Sequence, residues 1–246
     1  MVKITGRKIE LSGEVIAGDY AYYRKIPSLE MATKINPNEY VLIQEGDEVS
    51  CAMSMGQSFG RKNHLDTIVD VLRSGLFVPR TKLFMTQYAN VNRALERRGV
   101  LYDAEGNLIE GERLIKYAQM LNHDCWAHLN DSFKKGEGFL GLDVVYAIEI
   151  DSDGKLVFGR EPLQPCLEKN CFADLASVNE QGFPTREYPF QKYEIGKSIY
   201  FSSPLSGCVA WFGADSDGAF LYCDRVLTFS YYSLGVFPCV NGVAEK

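Results

Sequence analysis

The sequence predicts an α+β fold around a mainly antiparallel sheet. Two observations lead there. Three amphipathic helical stretches are followed by β-hairpins and long irregular loops, and strand and helix never alternate in the rhythm a parallel sheet requires. A third concerns domain count: no linker divides the 246 residues. Residues 1–60 are therefore read as a β-rich segment packed on the same domain as the rest.

Residues 1–60 read as strand and turn. Ile4, Ile9, Leu11, Val15 and Ile16 sit in short polar-interrupted runs, and residues 40–43 and 49–53 flank a Gly46-Asp47 turn. Pro27 and Pro37 bracket one helical turn, SLEMATKI. Asn63 can cap a helix that carries Leu65, Ile68, Val69 and Leu72 on one face and stops at Gly75. After Pro79, residues 81–98 place Leu83, Phe84, Tyr88, Val91 and Leu95 together and end at Gly99.

The stretch LYDAEGNLIEGERL holds a turn that feeds a third helix, expected over residues 111–133 with Leu114, Tyr117, Leu121, Trp126 and Leu129 buried. Leu142–Ile150 is β-rich and closes on Asp-Ser-Asp-Gly, so residues 155–158 return as the hairpin partner. Residues 160–190, rich in Pro, Gly, Asn and Cys, read as a long structured loop. Residues 199–201 form a short strand leading into the C-terminal run.

Composition narrows the function. Net charge is −6 with no Lys or Arg block, so the electrostatic footprint of a nucleic-acid binder is missing. No apolar run reaches membrane-spanning length, and the N-terminus lacks the apolar core of a signal peptide. The expected location is therefore cytoplasmic or virion-associated. The seven cysteines, at 51, 125, 166, 171, 208, 223 and 239, are odd in number and irregularly spaced, which favours buried thiols over a disulfide framework.

The motifs that carry chemistry are incomplete. His123, Cys125 and His128 would lie on one helix but not on one face, which argues against zinc. The Asp151 and Asp215 turns lack the flanking acidic ligands of a calcium loop and read as hairpin reversals. The histidines, His64, His123 and His128, fall on expected helices outside any nucleophile elbow. Gly56 and Gly60 are followed by no Lys-Ser/Thr, so no nucleotide loop is assigned. No cofactor, metal or catalytic residue is expected.

The richest stretch is CVAWFGADSDGAFLYCDRVLTFSYYSLGVFPC, residues 208–239. Large aromatics mix there with Gly, Ser and Asp, as they do at binding surfaces. Two period-2 sets interleave: Ala219, Leu221 and Cys223 against Gly218, Phe220, Tyr222, Asp224 and Val226. Hydrophobicity alone would put Phe220, Tyr222 and Val226 in the core, whereas Asp224 and Gly218 in the same set argue for solvent.

Together, LYDAEGNLIEGERL, Cys125-Trp126 with Leu129-Asn130, REPLQPCLE, CVAWF, ADSD, LYCDR and SLGVFPC resemble the variable proteins of diversity-generating retroelements. The resemblance covers roughly residues 64–240. It implies a C-type-lectin-like fold over residues 61–246, with a variable region at about 208–239. In that family, adenine-directed rewriting of codons diversifies an exposed ligand-binding face.

Carried over, Gly213, Asp215, Phe220, Tyr222, Asp224, Val226, Phe229 and Tyr231 match rewritten Asn codons, Trp211 and Gly218 match rewritten Arg codons, and Leu227, Ser230 and Tyr232 stand beside them. The resemblance turns the mixed set outward and implies a protein or other macromolecular ligand. The competing readings are an enzyme on the same scaffold with Cys208 or Cys223 reacting, and a viral structural protein.

Overall fold

The computed structural model describes residues 4–5, 8–10, 35–45, 48–228 and 234–241. The expectations at Leu11, Val15, Ile16, the Gly46-Asp47 turn and all but the last residue of SLEMATKI fall outside them. In chain order come β1 (Ile4–Thr5), β2 (Lys8–Glu10), β3 (Tyr40–Glu45), β4 (Glu48–Ser54), α1 (His64–Arg73), α2 (Thr81–Leu95) and α3 (Gly111–His123). Then follow β5 (Cys125–Lys135), β6 (Leu142–Ile150), β7 (Leu156–Pro162), β8 (Cys171–Asp174), β9 (Ser198–Ser202), β10 (Cys208–Asp215), β11 (Gly218–Val226), β12 (Leu234–Gly235) and β13 (Cys239–Val240). The class is α+β: strands pair antiparallel except β9 with β11 and β12 with β5.

The larger sheet runs β7-β6-β5-β10-β11-β9-β8, with β12 on the free part of β5. The smaller sheet runs β1-β2-β4-β13 with β3 on β4, so the C-terminal strand completes the N-terminal sheet. One continuous core joins both: Val41, Ile43 and Met53 pack with Phe84, Tyr88, Leu121, Phe212 and Leu221. Phe212 stands at its centre, with ring centroids 4.7 Å from Phe84 and 5.0 Å from Tyr88. Burying each such ring contributes about 2 kcal/mol.

Helices α2 and α3 cover the inner face of the larger sheet, while α1 packs on the opposite face through Ile68 and Val71 against Ala147 and Val236. Asn63 caps α1 as expected, its side chain accepting from the Asp66 N–H at 2.9 Å. The buried stripe of α1 is His64, Thr67, Ile68 and Val71, and Leu65 instead faces solvent. In α2 the core takes Phe84, Met85, Tyr88, Val91 and Ala94, and Leu95 is left exposed. The turn after Leu101 is organised by buried Asp103, whose carboxylate accepts from the backbone N–H groups of Glu105 and Asn107 and from Arg113.

The third helix is shorter than expected. It ends at His123, and residues 125–135 are the central strand β5. Leu121, Trp126 and Leu129 mimic helical spacing, yet Cys125, Ala127, Leu129 and Phe133 alternate into the core while Trp126, His128, Asn130 and Ser132 form the other face. His128 and Trp126 therefore sit on a strand. Asp151 and Asp215 make Asx turns, accepting from the N–H groups of Asp153 and Asp217 at 2.9 and 2.8 Å, which suits hairpin reversal.

Candidate functional site

Strand register builds one transverse row of side chains across five strands on the outer face. Trp126 of β5 lies opposite Gly213 of β10, Gly213 opposite Phe220 of β11, Phe220 opposite Tyr200 of β9, and Tyr200 opposite Phe172 of β8. The next row holds His128, Trp211, Tyr222 and Ser202. Because side chains alternate along a strand, both rows point away from the core. The residues between them, Ala219, Leu221 and Cys223 on β11 and Ala210, Phe212 and Ala214 on β10, are wholly buried in it.

The rows converge into an aromatic cluster. The planes of Trp126, Phe220 and Tyr222 are parallel to within 9°, with centroids 6.3 Å apart for Trp126–Phe220, 6.4 Å for Trp126–Tyr222 and 5.5 Å for Phe220–Tyr222. Tyr200 meets Phe220 and Tyr222 at 6.2 and 6.5 Å with its plane steeply inclined, and Phe172 meets Tyr200 edge-on at 5.5 Å. All five rings are half-buried. The Arg225 guanidinium lies 4.4 Å over the Tyr222 ring. Burial raises the Tyr222 phenol above its ordinary range, Arg225 opposes that shift, and the charge of Asp215 adds to it.

Gly213 is what lets Trp126 reach across β10. A Cβ at position 213 would stand 2.6 Å from the indole ring, closer than any real contact, so a side chain there would displace Trp126.

The expected contact residues divide into four groups. Asp215, Phe220 and Tyr222 are half-buried on the outer face. Asp224 and Val226, expected beside them, do not share that face: a bulge between Trp211 and Val209 breaks the alternation after Tyr222, so Arg225 joins the face of Tyr222, while Asp224 lies toward the buried Cys208 and Cys223 and Val226 pairs opposite Cys208. Trp211, Gly213 and Gly218 do not lie open. Trp211 is 3% exposed, enclosed by Val209, Leu234 and Leu227 and edge-on to His128 at 5.6 Å. Gly218 is covered by the ring of Tyr193 and Gly213 by that of Trp126. Phe229, Ser230, Tyr231 and Tyr232 lie outside the described residues.

Trp126, Tyr200 and Phe172 enter the face from strands the sequence reading did not assign to it. Trp126 was obscured by the helix expected there, and its adjacent inward residues Cys125 and Ala127 carry only a weak strand signal.

A thiol nucleophile needs an accessible thiolate. Cys208 and Cys223 are buried; burial and then nearby Asp224 push the Cys208 thiol up, and burial holds Cys223 well above its ordinary range. Among the described residues no group of three or more His, Cys, Asp or Glu is placed to hold a metal ion. A concavity of about 950 Å³ lies elsewhere, lined by Cys51, Phe77, Arg80, Glu161 and Gln181, and its Arg80 is engaged by Asp131 and Glu161. No helix among the described residues is long and apolar enough to cross a membrane.

Compared with known proteins, the chain matches no family model, no curated protein and no solved structure.

Proposed function

We propose that the chain is a ligand-binding protein whose outer β10–β11 face engages a macromolecular partner, on a C-type-lectin-like scaffold diversified by a retroelement. The observation that carries this reading is the split of β11. Leu221 and Cys223 are locked into the core, whereas Phe220 and Tyr222 alternate with them on a half-open face beside Trp126 and Tyr200. Aromatic rings give large contact area at low rotamer cost, and a rigid sheet holds them in place before the partner arrives.

On this reading Phe220 and Tyr222 are positions where the face varies, with Asp215 at its edge, continuing in sequence to Phe229, Tyr231 and Tyr232. Trp126 and Tyr200 belong to the constant scaffold. Gly213, Gly218 and Trp211 are structural.

Sequencing the gene's surroundings tests the diversification directly. The expected result is a reverse-transcriptase gene nearby and a near-identical repeat of the segment encoding residues 208–239, differing from it at adenines. A locus with neither overturns the retroelement reading.

A further inference from the structure

We propose that the occupant of the aromatic face is an arginine-bearing segment of a partner protein. This rests on the binding-face reading above and names the chemistry of its ligand.

Three features converge on a guanidinium. The first is the rings themselves: the faces of Trp126, Tyr200, Phe220 and Tyr222 are electron-rich, and a cation within about 6 Å of such a ring is attracted to it. Arg is favoured over Lys because its planar, weakly hydrated head stacks on an aromatic face. The second is internal. Arg225 already lays its guanidinium 4.4 Å over Tyr222, so the surface holds the kind of contact that a ligand arginine would extend across the neighbouring rings.

The third is charge. Asp215 ends β10 beside the row of Gly213 and Phe220, close enough to Tyr222 for its charge to raise that phenol, and Asp217 follows in the turn. Two carboxylates, Asp215 and Asp217, thus stand beside the rings, in a chain of net charge −6. A carboxylate beside an aromatic face lets an incoming guanidinium stack and pair at once.

The two tryptophans of the chain, Trp126 and Trp211, both stand on this face, so intrinsic fluorescence reads it selectively. The full chain is titrated at low ionic strength with acetyl-tetra-arginine amide, with a tetraglutamate peptide and maltohexaose as comparators. The expected result is a saturable fluorescence change with the arginine peptide alone. Its Kd should rise at least tenfold in Asp215→Asn/Asp217→Asn and in Tyr222→Ala, and should rise with added salt as screened attraction does.

Equal responses to tetraglutamate, or unchanged affinity in Asp215→Asn/Asp217→Asn, overturn the proposal. So does a Tyr222-dependent response to maltohexaose without one to the arginine peptide, an outcome that leaves the binding face standing. Arginine-peptide binding indifferent to both Phe220→Ala and Tyr222→Ala would instead overturn the face itself.

Discussion

Lowering the pH from 6.5 to 4.5 is expected to remove roughly 5 kcal/mol of folding stability through two histidines alone, about half from each. His64 at the start of α1 and His128 on β5 meet edge to face at 5.4 Å and are almost completely buried. Each donates Nε2–H to a backbone carbonyl, His64 to Leu129 at 2.7 Å and His128 to Lys62 at 3.3 Å. Protonation must therefore occur at Nδ1, and in both rings that atom is buried with no hydrogen-bond partner among the described residues.

Burial pulls His64 down to about 4, against smaller opposing effects of the Leu129 carbonyl and Asp131; burial and then the charge of His64 pull His128 down to about 3. The sign follows from which state takes up protons. Both folded values lie below the unfolded one, so the unfolded chain binds protons first. The stability is whole above about pH 6.5 and is lost as pH falls toward 4 and 3.

Asp143, held below the usual carboxylate range by Arg160, and Glu194, held there by the Tyr188 hydroxyl and then by Lys192 and Lys197, act lower on the scale, so the window from 6.5 to 4.5 belongs to the histidines. The loss is comparable with the whole stability of many domains. Urea unfolding across that window measures it. Replacing His128 with Phe keeps a ring edge against Trp211 and removes one titrating site, so the slope of stability against pH should fall by about half. Superimposable profiles for the two proteins would contradict the assignment.

Gly218→Ala is expected to cost roughly 2–4 kcal/mol, although the position lies at the rim of a hairpin where most substitutions are cheap. Gly218 has φ +129°, a backbone region that residues with a side chain rarely adopt. Its added Cβ would also stand 2.6 Å from Cγ of Tyr193. That ring cannot easily retreat, because Tyr193 Oη donates to Asn122 Oδ1 at 3.2 Å and lies 3.3 Å from Tyr88 Oη.

The neighbouring Asp217→Ala, at an exposed position of the same turn, should change stability by no more than about 0.5 kcal/mol. Equal urea midpoints for Gly218→Ala and the parent protein would show that the turn relaxes. The functional consequence is that codon 218 is not free to vary, whatever its neighbours on β11 do.

Much of the frame was legible in the residues because local chemistry and the fold agree there. Asn63 caps its helix, the Asp151 turn closes the β6–β7 hairpin, and β3, β4 and β9 fall where alternating β-branched and aromatic residues predict them. The central strand β5 was not legible. Its inward set contains Cys125, Ala127 and a buried Asp131, weak or contrary signals of a core strand, while Leu121, Trp126 and Leu129 imitate a helical stripe.

On the face, periodicity separated Leu221 and Cys223 from Phe220, Tyr222 and Asp224, but it carried no information on orientation. The helices packed under Phe212 and Leu221 decide that. Trp211 eluded the reading because its enclosure comes from Leu227 and Leu234, remote neighbours brought onto the same patch. Gly213 and Gly218 looked interchangeable with their neighbours because a sequence does not show what a Cβ would strike.

The central claim is that β10 and β11 carry a rigid inner face and an outer face free to change. Saturation mutagenesis of residues 208–226, scored by the amount of folded protein, tests it most directly. Tolerance should alternate with period 2 along residues 219–223 of β11: Ala219, Leu221 and Cys223 restricted to near-isosteres, Phe220 and Tyr222 broadly permissive, and Gly213 and Gly218 closed to nearly every substitution. Restriction at Phe220 and Tyr222 as severe as at Leu221 would show that the aromatic face is part of the core, and would contradict the account.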